Sequence, residues 1–241
     1  FLTQIECKLL ASLKRNYMKS LISKLSNLEL IIQLRNTLNY KPLKIFKFKI
    51  LQFEQTSTSD AFIWRTDNGF TTKFKFSDIL KLFFKIENSF VELHFYSKFN
   101  KLITIKKISD LDISNEIIID KNTIGGLEDY GVFYAFHIIN EKNTQKISVS
   151  NKCYTGFSKN KVFYNFVHGN VLAKTYNYKN KKLFEIIKTS FIKNQTYLIQ
   201  KYFDLTEKNE LFFSNPSNKS IIFNVNKKKF NLKKGCSKLI V

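Results

Sequence analysis

From Leu9 onward the apolar residues Leu10, Leu13, Tyr17, Leu21, Leu25, Leu28 and Ile32 recur three or four positions apart, with Lys14, Arg15, Lys19 and Lys24 between them. That spacing gathers the apolar side chains on one helical face and leaves the cations on the other. It predicts an amphipathic helical segment within residues 1–41, with Ser26-Asn27 as a point where two helices would meet in a turn. Pro42 ends it, because proline pushes the residue before it out of the helical region.

Beyond Pro42 the period becomes two. Phe46, Phe48 and Ile50 alternate with Lys47 and Lys49, and Phe74 and Phe76 alternate with Lys73 and Lys75, so each strand has an apolar face and a solvated one. Between them Ile63-Trp64-Arg65-Thr66 leads into Asp67-Asn68-Gly69, and Asn-Gly tolerates the positive φ of a tight hairpin turn. Ser77-Asp78 is positioned to cap a short helix running to Phe84, with a strand as the competing reading. Further strands are expected at 91–96, 102–105, 116–119, 132–139, 146–154, 162–167, 171–178, 183–187, 196–203, 211–214, 221–225 and 229–232.

Short strands at hairpin spacing predict a mainly β fold: an antiparallel β-sandwich or jelly-roll-like sheets, preceded by the amphipathic N-terminal helical segment. The corresponding domains are a helical segment at 1–41 and a β-rich domain at 42–241. Lys121-Asn122-Thr123 and Gly125-Gly126 interrupt the pattern, so a division near 120–126 is the alternative.

Composition qualifies this picture in three ways. A 44% hydrophobic content across 241 residues is enough for a substantial core. No run approaches 18 apolar residues, so no transmembrane helix is expected and a soluble, cytoplasmic protein is the anticipated setting. The first residues lack a basic start followed by an apolar block and do not begin with Met, which reads as a fragment or a processed start. Cys7, Cys153 and Cys236 are odd in number and far apart, a pattern of structural thiols and not of a disulfide framework or a thiolate metal site.

The net charge of +21 suggests an anionic partner. Of the 40 basic residues, however, only Arg15, Arg35 and Arg65 are arginine, and 25 Phe accompany them. Lysine and phenylalanine have A-rich and T-rich codons, so base composition alone can produce this excess. The planar fork that recognises phosphate bidentately is largely missing.

Candidate chemistry is sparse. His94, His137 and His168 would make a metal site only if separate strands brought them together, and no short ligand spacing supports one. Glu128 and Asp129, at the mouth of an apolar strand, are the candidate acid and base, with His137 and His168 as their candidate partners; capping and solubility explain the carboxylates more simply. Cys153 beside His137 or His168 has the composition of a nucleophilic pair, against the plainer reading of a buried thiol. Tyr154, Tyr164, His168 and Asn170 offer rings and hydrogen-bonding groups at strand ends, the makings of a ligand groove. Lysines at 179, 181 and 182, at 227–229 and at 233–234 could meet phosphate or another anion. Phosphate-loop and dinucleotide fingerprints are absent, and no cofactor or metal is expected.

The leading expectation is a non-catalytic β-sandwich recognition or structural module that binds a glycan or an assembly partner. A carbohydrate-active enzyme with a carboxylate and histidine site, and a lysine-rich RNA-associated assembly protein, are the alternatives.

Overall fold

The computed structural model describes residues 30, 31, 34, 38, 40–46, 56–140, 147–151, 153–159, 161–169, 172–178, 180–185, 187–193, 210–217 and 219–241. The helical segment expected within 1–41 is corrected at its C-terminal end: Leu30, Ile31 and Leu34 are helical, but Leu38 is in a turn, and Tyr40 and Lys41 already belong to a strand that runs through Pro42; the other positions lie outside the described residues. The strand expected at 196–203 also lies outside them.

The strands are β1 (Tyr40–Phe46), β2 (Thr56–Asp60), β3 (Phe62–Arg65), β4 (Thr71–Ser77), β5 (Ser89–Ser97), β6 (Leu102–Ile108), β7 (Ser114–Ile119), β8 (Tyr130–Ile139) and β9 (Ser148–Asn151). They continue as β10 (Tyr154–Ser158), β11 (Asn165–His168), β12 (Leu172–Asn177), β13 (Lys182–Glu185), β14 (Ile187–Lys193), β15 (Leu211–Ser214), β16 (Ile221–Val225), β17 (Lys228–Leu232) and β18 (Ser237–Ile240). One compact unit combines Phe1–Ile45 with Lys188–Tyr202, and the other combines Phe46–Ile187 with Phe203–Val241. The two-stranded β1–β14 sheet falls almost wholly in the first; the remaining sheets belong to the second.

Three four-stranded sheets dominate the second unit, in the orders β3-β8-β5-β6, β11-β10-β4-β7 and β13-β12-β2-β9. The β3-β8-β5-β6 sheet is apolar on both faces. On one, Phe62, Trp64, Val91, Leu93, Phe95, Phe133 and Ala135 pack with Phe74 and Phe76 of β4 and Ile119 of β7. On the other, Val132, Tyr134, Phe136 and Ile138 pack with Ala61 and with Ala173 of β12. This explains why β8 reads as a nearly unbroken apolar run: a strand covered on both sides has no solvated face to alternate with.

The antiparallel sandwich or jelly roll expected from the strand spacing is therefore overturned. The described strands form several small open sheets, none closed with another into a sandwich or barrel, and β2 pairs with β9 in parallel. The period-two signal reports one covered face per strand, which a layered set of open sheets satisfies as well as a sandwich does.

The chain changes sheets at two corners, and hydroxyl side chains hold both. At Ala61 it passes from β2 to β3, which pairs with β8 only as far as Phe62 opposite Phe133. Beyond that point Ser59 Oγ accepts the amide of Ala135 at 2.8 Å, and Ser57 Oγ accepts that of His137 at 2.9 Å. At the second corner Asn68 and Gly69 have φ of 50° and 76°, as positive-φ residues in a turn should. The turn does not make the expected hairpin, because β3 and β4 belong to different sheets. Instead Thr72 Oγ1 accepts from the Arg65 amide at 2.9 Å and donates to the Arg65 carbonyl at 3.0 Å. A short helix, α1 (Ile79–Phe84), follows β4; Asp78 caps it by accepting from the amides of Leu80 and Lys81.

Candidate functional site

The best-developed polar surface lies on the outer face of the β11-β10-β4-β7 sheet. Strict alternation in β4 sends Thr72, Phe74 and Phe76 into the protein and turns Lys73 and Lys75 outward. Strand register then builds cross-strand rows. Lys75 stands beside Tyr154, which stands beside His168, with Glu116 on the other flank. Lys73 stands beside Gly156, which stands beside Phe166, with Ile118 on the flank. Thr71 beside Ser158 begins a third row, over which the Tyr164 hydroxyl lies 3.2 Å from Thr71 Oγ1. Successive rows are two residues apart, or roughly 6.6–6.8 Å along the strands.

Rings and cations repeat with the rows. The Tyr154 and His168 rings sit 4.4 Å apart between centroids. Phe166 lies over Gly156 so closely that a Cβ there would come within 2.8 Å of the ring, and only glycine leaves room for it. Lys75 Nζ is 5.0 Å from the Phe166 centroid, and Lys73 Nζ is 4.6 Å from that of Tyr164, within cation–π range. Tyr154, Phe166 and His168 are exposed, as are Val162 and Phe163 in the preceding connection.

Glu116 supplies the face's counter-charge. Both Lys73 and Lys75 pair with its carboxylate, Lys75 at 3.1 Å. The hydrogen bonds from Lys73 and then Lys75 hold that carboxyl below the usual carboxylate range.

Of the ligand-binding residues expected from sequence, Tyr154, Tyr164 and His168 meet on this face, and Asn170 lies outside the described residues. The alternation of β4 disclosed that Lys73 and Lys75 point outward but not that rings would lie beside them. Glu116 and Phe166 gain their significance only from register. The one local hint was Gly156 inside a strand pattern, a mark of close approach.

The pairing of Glu128 or Asp129 with His137 does not assemble. Asp129 pairs with Lys98 at 2.9 Å just before β8, and Glu128 pairs with Lys121 at 3.0 Å. His137 lies near the far end of β8, roughly 24 Å along the strand from Tyr130 at about 3.4 Å per residue. It is buried, with Nε2 3.1 Å from the Ser77 carbonyl oxygen. His94 and His137 serve opposite faces of one sheet: His94 packs on Phe136 and His137 on Phe76. Among the described residues no group of three or more His, Cys, Asp or Glu could hold a metal ion.

The carbohydrate-active enzyme reading loses its constellation, and the glycan-binding sandwich loses its fold. No helix among the described residues is long and apolar enough to cross a membrane. No family model, curated protein or solved structure matches this chain, so no carbohydrate-binding signature comes from that direction either.

Proposed function

We propose that the outer face of the β11-β10-β4-β7 sheet binds single-stranded nucleic acid. The observation that carries this reading is the repeat of ring and lysine at a fixed row spacing on an open, solvent-facing sheet. A polymer with one planar ring and one anion per unit matches such a surface. Unpaired bases stack on the Tyr154–His168 pair, on Phe166 and on Tyr164, while Lys73 and Lys75 take phosphates. A duplex hides its base faces in the stack, so the rings favour single strands. This mode does not use the lysines at 179, 181 and 182, at 227–229 or at 233–234.

Because the net charge is +21, weak binding to any polyanion proves little. The informative variants leave charge untouched. Tyr154→Ala and Phe166→Ala should each weaken binding of a labelled oligothymidylate, read by fluorescence anisotropy, by about 1–3 kcal/mol, the range for one stacked base. Lys73→Gln with Lys75→Gln should flatten the dependence of log affinity on log salt by about 1.4, or 0.7 per phosphate contact. Aromatic variants that bind like the parent protein would overturn the reading.

A further inference from the structure

Lys73 and Lys75 are the lysines of the proposed face among the described residues, and one carboxylate holds both. Glu116 lies opposite Lys75 in the β4–β7 register and is about two-fifths exposed, with a side-chain relative accessibility of 43%. It therefore occupies the place that a ligand phosphate must take. A phosphate reaching either lysine competes with a carboxylate already there, at no cost in chain ordering because β7 fixes it.

We infer that Glu116 is an acidic gate on this surface: it competes with ligand phosphate for Lys73 and Lys75 and so sets the anion selectivity of the face. The inference rests on the nucleic-acid reading of the same sheet. Such a repulsive element lowers affinity for every anion and most reduces the relative occupancy of those that cannot recover the loss elsewhere. A ligand that also stacks on Tyr154, His168 and Phe166 offsets the competition; a ring-free polyanion has only its charge. The hydrogen bonds from Lys73 and Lys75 lower the Glu116 pKa, which favours its charged form and keeps the gate charged at neutral pH.

The test is a double-mutant cycle on the full chain, titrated with a labelled oligothymidylate of about ten nucleotides, a length within the site sizes known for single-strand binders. Inorganic polyphosphate serves as the ring-free probe. Glu116→Gln, conservative in shape and partly exposed, should tighten oligothymidylate binding by roughly three- to tenfold, as expected for releasing two partly exposed ion pairs. It should also tighten polyphosphate binding relative to the parent protein and steepen the salt dependence. In a Lys73→Gln, Lys75→Gln background the same change should yield no gain, because the gate then has nothing to hold. Circular dichroism of each variant establishes that it folds.

The two readings fail separately. Oligothymidylate binding that depends on Phe166 but is unchanged by Glu116→Gln overturns the gate and leaves the surface standing. An equal gain with and without the two lysines also overturns it, since a general charge effect would then be at work. Loss of any Phe166 dependence overturns both.

Discussion

The hydroxyl of Ser57 accepts the main-chain amide of His137 at 2.9 Å, in place of a strand that has turned away. Ser59 does the same for Ala135. These serines belong to β2, Thr-Ser-Thr-Ser-Asp, in which all five residues are buried. Its threonines are satisfied as well: Thr58 pairs with Thr175 at 2.8 Å and Thr56 with Ser148 at 2.9 Å. Ser57→Ala would remove the acceptor of the buried His137 N–H and should cost about 1–3 kcal/mol. Ser59→Ala should cost a similar amount, and both together a large part of a typical domain's stability. Urea midpoints should fall at unchanged m; midpoints within error of the parent protein would show that the hydroxyls are dispensable.

Two glycines separate stability from binding. A Cβ on Gly131 would come 2.1 Å from the Tyr96 carbonyl oxygen and 3.0 Å from Trp64 Nε1, which itself donates to that oxygen at 3.0 Å. Main chain cannot yield there as a side-chain tip can, so Gly131→Ala should cost at least the 1–3 kcal/mol typical of overpacking. At Gly156 the obstacle is the Phe166 ring, which can rotate away into solvent. Gly156→Ala should leave the melting temperature nearly unchanged while weakening oligothymidylate binding about as much as Phe166→Ala does. Thermal melts alongside anisotropy titrations check both outcomes.

The contrast between β4 and β2 shows what the sequence discloses. In β4 the Phe and Lys alternation carries the burial pattern directly, and Asp78 announces the start of α1 through its capping chemistry. β2 contains no apolar residue, so no hydrophobic period marks it, and its burial depends on partners more than 70 residues away. The sheet arrangement was hidden for a similar reason. Strand spacing does not record that Ala61 moves the chain between sheets, or that Asn68-Gly69 turns between layers and not within a ladder. At the candidate site, Tyr154 and His168 stand out in the sequence as polar rings near glycines, whereas Glu116 is one carboxylate among many; only register, which sets it opposite Lys75, and its ion pairs with Lys73 and Lys75 single it out.

His94 should make stability depend on pH. Its Nε2 lies 2.9 Å from Glu92, Lys174 approaches from β12, and Phe136 of β8 packs edge-on at 5.1 Å. Burial lowers its pKa below the ordinary 6.5, Lys174 adds to that, and Glu92 opposes both. The folded state thus binds fewer protons than the unfolded chain between the native pKa and about 6.5, so stability rises with pH through that window. It is fully present above the unfolded value and is lost as pH falls toward the native one. In His94→Gln this part of the slope should vanish, leaving the contributions of other groups. Urea denaturation of both proteins between about pH 7.5 and 5 tests this; parallel stability curves would refute it.

Cys153 should be chemically silent in the native protein. It is 4% exposed, and burial, with the nearby charge of Asp60, raises its thiol pKa far above the ordinary value. The thiolate is the reactive species, so a thiol held protonated and away from solvent is a poor nucleophile toward any electrophile. Cys236 is only half-buried; burial raises its pKa while Lys233 pulls it down. A charged maleimide applied near neutral pH should therefore label Cys236 measurably faster than Cys153, with Cys153 reacting at the rate of global opening. In denaturant the two should converge, because the unfolded chain exposes both. Peptide mapping by mass spectrometry over a time course distinguishes the sites. Rapid native labelling of Cys153 would show that the segment between β9 and β10 opens locally, and would return this cysteine to the list of candidate nucleophiles.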